Sequence, residues 1–378
     1  MKTITSIFIV WASVGFAEMP WIEPPEISSK GHRVPTPEYI PDFPRDHGAH
    51  TEHGIEWWYW VGHLKAKEGN QEFGFQSTVF RVAGDPKQKP NPQNLSFGNQ
   101  QLYLAHAALS DITHKKYLHY ERLYRPGWQV KSSTQTLDLQ VGGIQAKLDP
   151  SEDRQHLTTS YPNGSSLSLT LKPAKPIVTF GDRGLSRKGS DPAAVSWYWS
   201  YPRLIAEGTL VHNGKEIAVS GTAWMDHEVS SSQLGSDLAG WDWTCIQLND
   251  GTEVKAYRLR TKEGSSDPWS SIYWINQEGE VSNVYSDQFK WSHNQLWKSP
   301  HTQLSYPTSV TITANHPTKG KVTYQLRPLL PDQEFRGLKG DNLYWEGACQ
   351  VLDASGKEIG KAYLELAGYG GGLGARLN

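Results

Sequence analysis

Short runs in which apolar and polar residues alternate recur along most of the chain, and this period of two predicts β-strands. The run "EWWYWVGHLKA" ends at the turn residues 68–70, and "EFGFQSTVFRV" follows it, so the two runs predict a hairpin. Asn163-Gly164 and Asn213-Gly214 are signals for type I′ turns, whose two central residues both need positive φ. Few segments show the hydrophobic periodicity of a helix, and turn signals recur at intervals typical of β-sandwiches and β-barrels. The pattern therefore predicts an all-β protein.

The alternating runs fall into two blocks of similar style, which predicts two antiparallel β-barrel or sandwich domains in tandem. We place the first domain at residues 50–220 and the second at residues 221–378, and each block has the size of a single barrel. Residues 18–49 are rich in proline, which is excluded from helix interiors and central strands. We expect this segment to be an extended N-terminal arm laid over the surface.

The N-terminal residues predict export. Residues 1–17 contain the basic Lys2, an apolar run too short to span a membrane, and the small residues Gly15 and Ala17, as secretory signal peptides do. Their removal deletes no acidic residue and leaves 36 basic and 39 acidic residues. That balance argues against nucleic acid or an anionic membrane as a partner. We expect a periplasmic or secreted protein whose mature chain has no integral membrane segment.

Aromatic residues are the strongest compositional signal. The chain has 16 tryptophans, 17 tyrosines and 10 phenylalanines, and such side chains bury large areas on pleated surfaces. These residues fill β cores, and aromatic walls also suit an apolar ligand. Both uses remain open at this point.

Two loop segments carry polar groups of interest. The segment "TFGDRGLSRKGSDPAAV" contains three cations, of which Lys188 is the last, and it is either a solvated connector or the rim of a ligand cavity. His47, His50 and His53 form an H-x-x-H-x-x-H run. Because no helix aligns them, we expect no metal there, although His50 or His53 could reach the mouth of a cavity.

The stretch "AWMDHEVSSSQLG" places Asp226, His227 and Glu228 in a row within a predicted strand. Side chains alternate between the faces of a strand, so at most two of these three groups point the same way. A carboxyl group held in an apolar pocket has a raised pKa and can act as a general acid near neutral pH. The alternative is a charged cluster at a strand end with a structural role alone.

Two other predicted strands each carry an acidic residue flanked by tryptophans. These residues are Glu56 and Asp242. A buried acid is costly unless it is paired or protonated, and Arg81, Arg203 and Arg258 are candidate partners. For Glu56, a buried ion pair with an arginine is favoured over catalysis.

Several long motifs, in this order, resemble the family of carotenoid 1,2-hydratases and AttH-type proteins. They are "EWWYW", "FGFQSTVFR", "GLSRKG", "SWYWSYPRL", "GTAWMDHEVSSSQLG", "GWDWTCIQL", "YRLR", "YWEGACQV" and "AYLELAGY". The resemblance covers roughly residues 45–370 and implies two tandem lipocalin-like domains. Some members of the family add water across a C=C bond of a carotenoid or an isoflavonoid, and AttH-type members are associated with ABC transport systems.

The resemblance also implies a site. The hydratase motif D-H-E-W falls on Asp226, His227 and Glu228, with Val229 in place of tryptophan. We expect these three ionisable residues to be catalytic, with Asp226 or His227 as the proton donor. The aromatic residues expected to bind the substrate are Trp58, Tyr59, Trp224, Trp241, Trp243 and Tyr257.

Two functions follow as hypotheses. The first is an exported hydratase/lyase-type or hydrolase-like enzyme that acts on a hydrophobic isoprenoid or lipid by acid-catalysed proton transfer. The second is a non-catalytic periplasmic carrier of a hydrophobic ligand, of AttH type and linked to an ABC transporter. We expect no cofactor and no metal in either case.

Overall fold

The computed structural model describes residues 19–86, 101–338 and 342–371, and the predicted signal peptide lies outside these ranges. The regular structure in the described ranges is β-sheet, apart from a short 3-10 turn at Arg45–His47. The all-β prediction is thereby confirmed. None of the helical structure described here is long or apolar enough to cross a bilayer.

The first sheet is built from the N-terminal strands. They are β1 Ile55–Ala66, β2 Glu72–Val82, β3 Leu102–Asp111, β4 Lys116–Tyr124, β5 Val130–Ser132, β6 Asp138–Val141, β7 Ile144–Asp149, β8 Arg154–Ser160, β9 Ser166–Pro173, β10 Val178–Thr179, β11 Ser186–Arg187, β12 Val195–His212 and β13 Lys215–Ser230. Their order across the sheet is β4-β3-β2-β1-β13-β12-β9-β8-β7-β6-β5, and β10 and β11 pair with β12. The long strand β13 therefore lies in the middle of the sheet, between β1 and β12.

The second sheet is built from the C-terminal strands. The remaining strands are β14 Leu238–Leu248, β15 Glu253–Thr261, β16 Ser271–Ile275, β17 Val281–Tyr285, β18 Phe289–His293, β19 Trp297–Lys298, β20 Ser305–Tyr306, β21 Val310–His316, β22 Gly320–Pro328, β23 Glu334–Arg336, β24 Leu343–Leu352 and β25 Glu358–Ala367. The order is β17-β16-β15-β14-β25-β24-β22-β21-β18, with β23 on β24, and β19 and β20 pair separately. Each large sheet curls into a nearly closed antiparallel barrel, which confirms the prediction of two lipocalin-like units.

The predicted hairpins form, but the two Asn-Gly turns differ. Strands β1 and β2 pair antiparallel, as their alternation predicts. Asn213 and Gly214 both have positive φ, at 52° and 73°, which fits a type I′ turn. At the other turn Gly164 alone of the pair has positive φ, so the type I′ prediction is wrong there. The cause is Pro162, whose fixed φ suits the second position of a type I turn, which the N–H of Gly164 closes onto the carbonyl of Tyr161.

Two boundaries differ from those expected from the sequence. Strand β13 runs unbroken to Ser230 and pairs with both of its neighbours. The chain therefore passes from the first sheet to the second between Ser230 and Leu238 rather than near residue 220. The end of the N-terminal arm is buried rather than laid on the surface. His47 is 2% exposed, and its carbonyl accepts a hydrogen bond of 3.0 Å from the indole of Trp58.

The barrels meet along β1, β2, β4 and β12 of the first sheet and β14, β23, β24 and β25 of the second. Each barrel has its own apolar core, and a separate apolar cluster that includes Val61, Trp243 and Ala348 lies between them. Hydrogen bonds cross this interface, including one of 2.9 Å between His63 Nε2 and the carbonyl of Ala362. The side chains that the two sheets direct at each other therefore share one environment.

Candidate functional site

A cavity of about 210 Å³ lies between the two barrels, and both barrels contribute its walls. Its aromatic side chains include Trp57, Tyr59, Trp241, Trp243, Tyr257 and Tyr344. Its carboxyl groups are Asp226 and Glu228 from the first sheet and Glu346 and Glu365 from the second. An aromatic hollow with a few converging polar groups is the usual form of a small-molecule site.

Asp226 projects from β13 into this cavity and is held by three donors. Tyr198 donates its hydroxyl to Oδ2 at 2.5 Å, Trp224 donates its indole N–H to Oδ1 at 2.6 Å, and the hydroxyl of Ser200 also donates to Oδ1. Tyr198 in turn accepts a hydrogen bond of 3.2 Å from the indole of Trp243. The carboxyl group is thus fixed in one orientation.

The environment of Asp226 favours its neutral form. Burial raises the pKa of this carboxyl, and the opposing effects of Lys255 and of the three donors do not fully offset it. Burial likewise holds the pKa of the Lys255 amine well below its usual range. The Lys255 nitrogen lies 3.4 Å from the ring centroid of Tyr198 and 3.5 Å from that of Phe180. Burial therefore favours a carboxylic acid beside an amine over a buried ion pair.

Glu228 lies two residues further along the same face and has a cationic partner. Lys188 Nζ lies 2.9 Å from Glu228 Oε1, which also accepts a hydrogen bond from Ser196. Lys188 comes from the long segment before β12, so this segment forms part of the cavity wall. Of the two interpretations of that loop, the structure favours the rim of a cavity.

His227 points to the opposite face of β13, away from the cavity. Its Nε2 lies 2.8 Å from Glu56 Oε1, and its ring stacks on Trp58 at 4.8 Å. Burial lowers the pKa of this imidazole, against the effect of Glu56. The expected role of His227 as a proton donor in the cavity is not supported by this position, because strand alternation turns it away from the wall that Asp226 and Glu228 occupy.

Glu56 is the centre of a second polar cluster, inside the first barrel. Arg81 Nε lies 2.8 Å from Glu56 Oε2, which confirms the ion pair predicted for Glu56. His50 Nδ1 lies 2.9 Å from Glu56 Oε1, and His50 Nε2 lies 3.1 Å from Asp46. His50 and His53 are both buried and do not line the cavity, so neither reaches its mouth.

One group within the described residues has ligand atoms close enough together to share a metal ion. It comprises His50, Glu56 and His227, whose ligand atoms lie within 4.8 Å of one another. Both imidazoles lie at hydrogen-bond distance from the same oxygen of Glu56, and the guanidinium of Arg81 already matches its charge. This donor set fits a hydrogen-bonded ion pair better than a metal centre, and the absence of a metal stays a prediction.

The aromatic residues expected to bind substrate divide into two groups. Tyr59, Trp241, Trp243 and Tyr257 line the cavity. Trp58 and Trp224 do not. Trp58 belongs to the core of the first barrel, and Trp224 lies behind Asp226, where its indole holds that carboxyl.

The sequence reasoning missed Glu346 and Glu365. They lie on β24 and β25, and their side chains enter the cavity from the second barrel. Each is an acid among aromatic and aliphatic residues, in "YWEGA" and "YLELAGY". The same signal that marked Glu56 as a buried acid could have found them.

Comparisons with known proteins agree with this fold. The AttH-like family model matches residues 34–369. An AttH protein of Nitrosomonas europaea is 30% identical, with a TM-score of 0.78 over 89% of this chain and 99% of that one. Kievitone hydratase of Nectria haematococca shares the fold at 13% identity, with a TM-score of 0.64 over 92% of this chain and 99% of that one. A search of curated protein sequences found no match. The chain belongs to the AttH-like family.

Proposed function

We propose that this protein is an exported hydratase-type enzyme that adds water across a C=C bond of a hydrophobic isoprenoid or lipid. The observation that carries this proposal is the position of Asp226, a buried carboxyl group with a raised pKa at the wall of an aromatic cavity. Asp226 is the proton donor, because burial raises the pKa of this carboxyl group and favours the protonated form that a general acid needs. The apolar segment at the N-terminus supports export to the periplasm or beyond.

The first step of the reaction transfers a proton from Asp226 to an alkene carbon and leaves a carbocation. The faces of Trp241, Trp243 and Tyr257 stabilise positive charge in the cavity, as aromatic rings do for cations. The carboxylate that remains on Asp226 accepts hydrogen bonds from Tyr198 and Trp224, which stabilise it once the proton has left. Addition of water to the cation, with loss of one proton from that water, then gives an alcohol.

The change in the hydratase motif at Val229 leaves the cavity intact. Val229 shares the face of His227, is fully buried, and packs in the apolar cluster of Trp197 and Trp199. Its side chain does not line the cavity. The carbocation would therefore be stabilised by tryptophans of the second barrel, whatever residue occupies position 229.

The shared fold is the support that the comparisons give to a hydratase-type activity. A protein with the same two-barrel fold is named kievitone hydratase. The AttH-like family supports the alternative of a carrier, in which the same cavity holds a ligand that leaves unchanged and the protein works with an ABC transporter. Asp226 distinguishes the two, since only the enzyme needs this carboxyl group to transfer its proton to the bound molecule.

The test is an assay of three probes in D₂O: geraniol, a prenylated phenol and a linear carotene. An enzyme of the proposed type converts at least one probe into a product that carries one added water and one carbon-bound deuterium, both visible by mass spectrometry. A probe that binds in stoichiometric amount and is recovered unchanged, without deuterium, would favour the carrier.

A further inference from the structure

Glu346 and Glu365 form a pair of carboxyl groups on the part of the cavity wall that the second barrel supplies. They are direct cross-strand partners on β24 and β25, so their side chains leave the same face of the second sheet. Directly opposite residues of antiparallel strands have Cβ atoms about 4.5–5.5 Å apart. Both line the cavity. Two carboxyl groups are thus held side by side against the volume that a substrate would occupy.

Neither carboxyl group has a cationic partner in the described part of the chain. Glu346 accepts a hydrogen bond from the hydroxyl of Tyr59, and Glu365 accepts one from the indole of Trp241. The cation of the cavity wall, Lys188, is paired with Glu228 instead. Two adjacent buried carboxylates repel each other, so a state in which at least one of them is protonated is favoured.

The surroundings of the pair determine the pH range in which it exchanges a proton. Burial holds the pKa of Glu346 well above its usual value, and the neighbouring Glu365 raises it further. Burial raises the pKa of Glu365 to about 7, to which the carboxyls of Asp226, Glu228 and Asp242 contribute, against the indole of Trp241. The surroundings therefore favour the protonated form of Glu346, whereas the pKa of Glu365, about 7, lets that carboxyl group accept or release a proton.

A buried acceptor beside the pair supplies a second observation. Gln76 lines the cavity and donates its amide to the hydroxyl of Tyr344 at 3.0 Å and to Glu346 at 3.4 Å. Its amide oxygen is buried and receives no hydrogen bond from the described residues. A buried carbonyl oxygen of this kind needs a donor, and a water molecule or a substrate hydroxyl next to Glu346 would provide one.

We propose that Glu365 is the catalytic base that takes the proton from the attacking water, with Glu346 as the positioning residue that shares a proton with it. This inference rests on the proposed function. Asp226 gives its proton to one alkene carbon, and the oxygen of water forms a bond with the other carbon, which is the cation. As that bond forms, the water loses one proton to the Glu365 carboxylate. The products are the alcohol, the Asp226 carboxylate and protonated Glu365, and the cycle closes when Glu365 releases its proton to solvent and Asp226 takes one up.

The experiment compares Glu365→Gln, Glu346→Gln and Asp226→Asn on the probe that the wild type hydrates, in D₂O. The control is Glu334→Gln, because Glu334 is a fully buried carboxyl outside the cavity. Loss of a general base lowers hydration about 10²–10⁴-fold. In Glu365→Gln we expect such a loss, while deuterium still enters the recovered alkene, because Asp226 goes on protonating it and the cation returns a proton. In Glu346→Gln we expect slower hydration with a shifted acidic limb of the pH profile.

The outcomes separate the two proposals. Hydration by Glu365→Gln at the rate of Glu334→Gln, with the acidic limb unchanged, would overturn the role of Glu365 and leave the proposed function standing. Full hydration by Asp226→Asn would overturn the proposed function itself. Should Glu365→Gln fail to fold, infrared titration of the wild type decides. A C=O stretching band of a buried, protonated carboxyl group that disappears near pH 7 supports the proposed roles of Glu365 and Glu346. The absence of any such band at pH 5 contradicts them.

Discussion

Asp226 and His227 are consecutive residues of β13 whose side chains lie on opposite faces of the first sheet. Asp226 is in the cavity between the barrels, whereas His227 is inside the first barrel, 2.8 Å from Glu56. Three ionisable residues that look like one catalytic cluster in the sequence therefore belong to two separate sites. One site faces the cavity between the barrels, and the other holds the arm and three strands of the first barrel together.

His227→Gln tests this division. His227 is fully buried and does not line the cavity, so its loss should lower the free energy of unfolding by about 1–3 kcal/mol through unsatisfied hydrogen bonding at Glu56. Turnover per folded molecule should stay near the wild-type value. Urea denaturation and an assay on the folded fraction measure the two effects, with His293→Gln on the exposed surface as the control. Lost turnover with unchanged stability would place His227 in the chemistry.

Arg81→Gln tests the ion pair inside the first barrel. Burial alone would raise the pKa of Glu56, but Arg81, His227 and His50 hold it well below its usual value of 4.5. This stabilisation is present above pH 4.5 and is lost as the pH falls below it. The variant should lose about 3–5 kcal/mol at neutral pH, because it leaves a buried charge unpaired. Denaturation curves of the wild type and Arg81→Gln at several pH values measure this loss. A difference in the free energy of unfolding that is the same at every pH would contradict the assigned ion pair.

Tyr198→Phe tests the tuning of the proton donor. The hydrogen bond from Tyr198 lowers the pKa of Asp226, so its loss should raise that pKa further. Because the donor must be protonated, activity falls as the pH rises through the pKa of Asp226. The basic limb of the pH-rate profile should therefore move to higher pH in Tyr198→Phe. Tyr324→Phe, at a buried tyrosine of the second barrel, should leave the limb in place.

Gly214→Ala tests the turn between β12 and β13. Gly214 has φ of 73°, and a Cβ there would meet no atom within 4 Å, so the cost of the substitution is in the backbone alone. We expect a loss of about 1 kcal/mol in the free energy of unfolding. Gly127→Ala, at an exposed glycine without positive φ, is the matched control and should be nearly neutral. Equal stability of the two variants would contradict the assigned turn.

Much of the fold could be predicted from local pattern, because a period of two and the turn residues act within a few positions. The hairpin of β1 and β2 and the turn at Asn213-Gly214 are examples. The end of the first sheet at Ser230 could not be predicted in this way, since it depends on the pairing of β13 with both β1 and β12.

The candidate site was predictable only in part. Alternation alone predicts that Asp226 and Glu228 share a face, but it does not say which face borders a cavity, because that depends on how the second barrel packs. The pairing of Glu346 with Glu365 depends on the register of β24 and β25, which residues distant in sequence determine. The sequence around each acid indicates that it is buried, but only the structure shows that the two acids lie side by side.

The most direct measurement of the central claim is the turnover of Asp226→Asn beside that of Asp267→Asn, at a buried carboxyl that does not line the cavity. If Asp226 supplies the proton, Asp226→Asn should hydrate the probe at least about 100-fold more slowly while it unfolds cooperatively and binds the probe as the wild type does. Asp267→Asn should keep wild-type turnover. Equal turnover in the two variants would show that the proton comes from elsewhere.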